Sequence, residues 1–166
     1  MASKVFSDFN SLMKHLENNI LLDIQKIGEE VKNVLRNNVR VLFYERNGMN
    51  WTPENYTRTY ELIDSITVSP VNKIGNKYKL SVYFDDNKIH PYKVSGEWSA
   101  HESVVTEENI SKNLPFYMEY GNQSSLYSYE PDSPPVETTI KDLKDDNYIK
   151  TRLKELLEMQ GYKVIG

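Results

Sequence analysis

The sequence predicts an α+β fold in which a long N-terminal helix and further helices pack on a small antiparallel sheet, and three observations carry that prediction. Apolar residues recur at steps of three and four through the first forty residues. Past Ile66 the spacing changes to two, on either side of a Gly75-Asn76 turn signal. Near the C-terminus the three-and-four spacing returns, ahead of Gly161. Helical periodicity at both ends with strand periodicity between them is the pattern of a helix-and-sheet domain.

The first stripe comprises Phe9, Leu12, Met13, Leu16, Ile20, Ile24, Ile27, Val31, Val34, Leu35, Val39 and Leu42. These positions fall on one face of an α-helix. Ser7 is the expected N-cap, its hydroxyl accepting from the free amides of the first turn, and Asn47-Gly48 is the expected stop. Gly28 lowers helix propensity by about 1 kcal/mol relative to alanine, yet the apolar phase runs across it unchanged. We therefore read one helix within residues 7–47, bent at most at Gly28. A helix of about 38 residues would be roughly 57 Å long, whereas a compact chain of this size has a radius of gyration of about 15 Å. Such a helix overhangs its own globule, and another subunit is the simplest cover for its stripe. The alternative is two shorter helices folded back on each other at Gly28.

Trp51 to Asn55 reads as a turn, and Tyr56, Thr59, Tyr60 and Ile63 as one face of a short helix. Ile66 and Val68, then Tyr78, Leu80, Val82 and Phe84, alternate with polar residues and predict a hairpin closed by Asp85-Asp86-Asn87. Ile89 to Trp98 reads as a further extended segment. Thr106-Glu107-Glu108-Asn109 reads as a helix start, the helix ending near Gly121. Residues 123–135, rich in Ser, Tyr and Pro, read as an extended loop, and Val136 to Leu143 as a strand. Asp146 to Gln160 is the final helix with Gly161 as its C-cap, and Tyr162 to Ile165 an edge strand. One domain spans residues 1–166, with segments 7–47, 56–122, 123–135 and 136–166.

Composition narrows the function classes. The chain has 166 residues, 20 basic and 24 acidic side chains, and a formal net charge of −4. No segment gathers Lys and Arg as a duplex-binding surface requires. There is no cysteine, which removes disulfides, thiolate nucleophiles and Cys-ligated metals and fits assembly in a reducing cytoplasm. The start carries no basic-then-apolar secretory pattern. No stretch approaches the roughly 20 apolar residues of a membrane span.

Motifs for catalysis are also missing. His15 sits at the boundary of the long helix. His90 and His101 fall near Asp85, Asp86, Glu97 and Glu102, so a metal-dependent hydrolase or nuclease using those two histidines is one alternative function. There is no HExxH, no Gly-x-Ser-x-Gly, no phosphate-binding loop and no GxGxxG. We expect no catalytic residue, no metal and no cofactor. A second alternative is a monomeric binding module with an acidic surface. Of the twelve tyrosines, many fall between Trp51 and Tyr60 or Tyr117 and Tyr129, in predicted loops and element ends, where Tyr127 and Tyr129 are interface candidates, since tyrosine gives amphipathic contact area at low entropic cost.

Two stretches resemble phage tail-completion, or head–tail joining, proteins. Tyr56-Thr57-Arg58-Thr59-Tyr60-Glu61-Leu62-Ile63-Asp64-Ser65-Ile66 is similar to that family's Y-x-R-T-x-x-L-x-x-S segment. Tyr117-Met118-Glu119-Tyr120-Gly121-Asn122 is similar to its hydrophobic-E-aromatic-G-polar segment. The order of long helix, first motif, hairpin and second motif also agrees, over residues 7–122. Tyr60 stands where that family often has glycine, and the family's apolar-Pro-Ala ending has no counterpart in residues 123–166.

The resemblance implies a structural protein of the virion neck, assembled in the host cytoplasm, that forms a ring, taken as a hexamer. Its implied partners are itself, a tail-tube or tail-terminator protein, and a head-side connector or stopper protein, with DNA at most passing through the lumen and no membrane. The implied interface candidates are Tyr56, Arg58, Thr59, Leu62, Ser65, Glu119, Tyr120 and Gly121. Arg58 would bridge carboxylates or carbonyls, within a junction or within the subunit. Thr59 and Ser65 would satisfy nearby backbone groups.

Overall fold

The computed structural model describes residues 6–45, 60–89, 115–116, 118–120, 122–124, 127–129 and 133–164. Helix α1 spans Phe9–Asn38 and continues without a break into a π-helical segment, Val39–Tyr44. The hairpin of two shorter helices is thereby excluded. At the α-helical rise α1 alone is about 45 Å long. Its N-cap is Asp8, not the expected Ser7: the Asp8 carboxylate accepts from the Ser11 backbone N–H at 2.8 Å and from the Ser7 and Ser11 hydroxyls. A carboxylate at a helix N-terminus is favoured over a hydroxyl by its charge.

The helix runs through Gly28 without interruption, and the glycine makes room for the sheet. A Cβ at this position would stand 2.6 Å from Leu80 Cδ1 and 2.9 Å from Val68 Cγ1. The glycine that costs helix propensity thus lets the hairpin lie directly on the helix backbone.

Helix α2 is one turn, Glu61–Asp64, shorter than the helix expected from Tyr56. Tyr60, just before it, has φ +57 and lies in the left-handed region, which ends any helical run entering from upstream. Strands β1 (Ile66–Val68) and β4 (Val82–Phe84) pair antiparallel, as do β2 (Asn72–Ile74) and β3 (Lys77–Lys79). The four strands form one long hairpin whose ladder is interrupted midway: Ser69, Pro70 and Val71 face only Leu80 and Ser81. That is a bulge of one residue. Pro70 has no N–H to donate to the ladder, and across the bulge the Ser81 N–H donates to the Ser69 hydroxyl at 2.9 Å. The two-residue turn Gly75-Asn76 closes the arm, with Gly75 at φ +59. Asp85 then caps a 3-10 turn, Asp86–Lys88. The expected extension from Ile89 onward lies almost wholly outside the described residues, as do the turn at residues 51–55 and the helix start at Thr106.

Pro115, Phe116 and Met118 to Tyr120 are helical, in keeping with the expected helix. The expected loop 123–135 contains strands β5 (Asn122–Ser124) and β6 (Tyr127–Tyr129), an antiparallel pair. The expected strand Val136–Leu143 is instead helix α3, Pro135–Asp145. Proline at its first position starts a helix well, and the Glu119 carboxylate caps it from a distant part of the chain. Helix α4, Tyr148–Met159, follows after Asn147, which takes φ 47 as asparagine tolerates. Its C-terminus closes with Gly161 N–H donating to Glu158 O and Tyr162 N–H to Leu157 O, the paired bonds of a Schellman motif. Residues 162–164 form no strand, because the chain is held by that cap.

The largest buried cluster lies at the C-terminal half of α1. Leu35 and Val39 meet Leu62, Ile63, Ile66, Ile89 and Met118, with Phe43, Tyr44, Val82, Phe84 and Val136 around them. Each fully buried side chain of this size contributes about 1.5–3 kcal/mol. On another side of α1, Arg152 clasps Glu30 bidentately at 2.8–3.2 Å while the Tyr148 hydroxyl donates to the same carboxylate. Further along, Gln160 donates to both oxygens of buried Asp23, and Asn19 to the Tyr162 hydroxyl. At the opposite end Asn38 donates to Thr139 and Asp142. Helix α1 is therefore a spine with the hairpin on one side and α3–α4 on another.

Candidate assembly surface

Burial along this spine is uneven. Asp23 is the first buried residue of α1, so none of the stripe residues Phe9, Leu12, Met13, Leu16 and Ile20 is buried. Phe9 is 72% exposed and Met13 47%. The same periodic stripe that enters the core from Ile27 onward is only half-buried at Leu12, Leu16 and Ile20 and exposed at Phe9 and Met13. His15 shares this stretch, half-buried, with Asn19 Nδ2 3.2 Å from its Nε2 and the Phe6 ring beside it.

The β2–β3 arm lies along the same half of the helix. Lys73 Nζ is 2.5 Å from Glu17 Oε1, and the Tyr78 hydroxyl donates to that oxygen. The ammonium holds the Glu17 carboxyl below the usual carboxylate range, and the carboxylate in turn raises the Lys73 ammonium. The arm's opposite face carries Ile74, Lys77 and Lys79, all exposed.

The two sequence motifs divide into inward and outward positions. Leu62 and Ser65 are fully buried. The Ser65 hydroxyl donates to Leu62 O at 2.8 Å, and Ser65 O accepts from Asp85 N and the Thr67 hydroxyl. Ser65 thus satisfies local backbone, as expected, and locks α2 to the hairpin. Arg36 on α1 ties the helix to the first motif: it donates to Ile63 O and to Asp64 Oδ1. Tyr56, Arg58, Thr59 and Gly121 lie outside the described residues.

In the second motif Met118 is core and Glu119 is buried, accepting from Val136 N and Glu137 N at 2.8 Å each. Tyr120 points outward, 69% exposed, and stacks on the exposed Phe116 ring with centroids 4.8 Å apart. Tyr127 and Tyr129 both belong to β6. Leu62, Ser65 and Glu119 therefore support the fold from inside, and among the candidates whose side chains are described Tyr120 reaches the surface. The incompletely covered half-stripe of α1 was visible in the sequence; the roles of Glu119 and Arg36 carried no local signal, because their partners are far away in the chain.

His90 and His101 lie outside the described residues. Among the described residues no group of three or more His, Asp or Glu side chains is placed to hold a metal ion, and no helix is long and apolar enough to cross a membrane.

The molecule is a small α+β protein built on a long helical spine, with Phe9, Met13, Phe116 and Tyr120 exposed on its surface. The chain belongs to the YomN family, whose model matches residues 8–159, a phage-derived family of the Bacillus prophage type. No curated protein and no solved structure matches it.

Proposed function

We propose that this chain is a structural neck protein that completes or terminates a phage-type tail and joins it to the head-side connector as a homo-oligomeric ring. The observation that carries this reading is the incompletely covered apolar stripe at the start of α1, where Phe9 and Met13 are exposed and Leu12, Leu16 and Ile20 only half-buried. A stripe of this kind is stable in water when a neighbouring subunit covers it. The phage-derived family supports a phage setting, and the resemblance of the two motifs in their order favours a position at the neck. Its partners are further copies of itself, a tail-tube or terminator protein on one side and a connector or stopper on the other. It acts by shape and association in the particle neck, after assembly in the host cytoplasm, and catalyses nothing.

The test is electron microscopy of particles produced with this chain absent from the phage or prophage. Filled heads accumulating beside separate tails, restored by the wild-type chain and not by a Phe9→Asp, Met13→Asp double variant, are expected. Normally joined particles in its absence would overturn the proposal.

A further inference from the structure

The charge of this chain is segregated. From Ser65 to Phe84 there is no Asp or Glu, while Lys73, Lys77 and Lys79 all fall within this stretch. The rest of the chain then holds 17 of the 20 basic side chains against all 24 acidic ones. The three lysines occupy the outer arm of the hairpin, on β2 and β3. Lys73 already has a carboxylate, Glu17 of its own α1. Lys77 and Lys79 stand on the other face beside exposed Ile74, and neither makes an ion pair among the described residues. The register enforces this division. Lys73 pairs with Tyr78 across the ladder and turns to the helix, whereas Asn72 pairs with Lys79 and Ile74 with Lys77 on the far side.

We propose that the β2–β3 arm is a docking element that seats its Lys77–Lys79 face on the acid-rich body of a second copy of this chain. The proposal rests on the self-assembly reading above. Charge complementarity selects the occupant: the docking face carries Lys77 and Lys79, unpaired among the described residues, and outside the stretch Ser65–Phe84 an identical neighbour is net negative by seven. Opposite patches steer encounter and fix register, with exposed Ile74 supplying apolar contact at the centre of the face. Arm and body are different surfaces of one chain, so the contact is heterologous. Contacts of that type propagate head to tail and close into a ring when the rotation permits. A duplex would also attract lysines, but two free ones are few beside the six to ten phosphate contacts of ordinary strong binders.

The experiment compares wild type with a Lys77→Glu, Lys79→Glu variant by light scattering over a concentration series, at about 0.05 and about 0.5 M salt, where screening differs strongly. Both residues are exposed, so circular dichroism and melting are expected to match wild type. The variant is expected to need at least about tenfold more protein for assembly at low salt, and to lose most of the wild-type salt dependence. Assembly of the variant at wild-type concentration and with wild-type salt dependence would overturn the arm's role and leave self-assembly standing. A wild type that stays monomeric throughout would overturn both. A variant that assembles normally but loses retention of a duplex DNA probe would also overturn the protein-docking role.

Discussion

The Glu119 carboxylate accepts the backbone N–H of Val136 at 2.8 Å through one oxygen, and its second oxygen takes Glu137 N–H at the same distance. Seventeen residues separate Glu119 from Val136, yet the side chain performs the work of an N-cap for α3. Prolines at 134 and 135 precede the first free amides, so no neighbouring side chain occupies that place. Replacement Glu119→Ala leaves two N–H groups without their acceptor and is expected to lower stability by about 2–3 kcal/mol. Glu119→Gln keeps one acceptor oxygen and should lose about half as much. Denaturant unfolding of the three proteins measures both; equal stability of alanine variant and wild type would remove the capping role.

At Gly28 two effects oppose each other. Alanine gains about 1 kcal/mol of helix propensity, but its Cβ would meet Leu80 and Val68 at under 3.0 Å. The β-branched Val68 has little rotamer freedom, so the clash is expected to win and Gly28→Ala to destabilise by about 1–2 kcal/mol. A double variant with Leu80→Ala should recover part of the loss, a positive coupling in a mutant cycle. Additive losses would show that the hairpin does not rest on this glycine.

Arg152 and Glu30 set the acid limb of stability. The guanidinium's hydrogen bonds hold the Glu30 carboxyl below its ordinary value of 4.5. A depressed carboxylate stabilises the fold above its unfolded pKa, and this contribution disappears as pH falls through the lowered folded value. Stability is therefore expected to drop below about pH 4.5, and Arg152→Ala should flatten that drop while lowering stability at neutral pH. Arg152→Lys should not restore the difference, since lysine lacks the fork that grips both oxygens. Melting curves across pH 3–7 on all three proteins decide the point.

Tyr60 occupies a left-handed backbone position, where the resembling family often has glycine. Its ring packs on Tyr44 with centroids 4.9 Å apart. Tyr60→Gly relieves about 1 kcal/mol of backbone strain and loses an aromatic contact of about 0.5–1.5 kcal/mol, so it should be near neutral. Tyr60→Ala loses the contact and keeps the strain, and should be the less stable of the two. Thermal melts that rank alanine above glycine would contradict this.

What was legible in the sequence was whatever is encoded locally. The stripe of α1 reads through Gly28 because the apolar phase never breaks, and Gly75-Asn76 and Gly161 mark a turn and a cap that only glycine accommodates well. Helix α3 was misread as a strand because Val136, Thr138, Thr139 and Ile140 are β-branched and favour strands in isolation. Glu119 and the Asn38–Thr139 bond override that preference from far away in the chain. Leu62 and Ser65 looked like interface residues from their motif, whereas the burial that fills the core with them depends on α1 and the hairpin meeting. The incompletely covered half of α1 was predictable for the opposite reason: its pattern calls for a cover, and none of its stripe residues before Asp23 is buried.

The most direct measurement is the solution mass of the purified chain by light scattering, alone and mixed with a tail-tube protein of the same phage or prophage, the partner proposed above. A ring-sized mass in at least one of the two samples is expected, with the stripe from Phe9 to Ile20 covered. A strict monomer in both, with the partner's mass unchanged, would contradict assembly as its function.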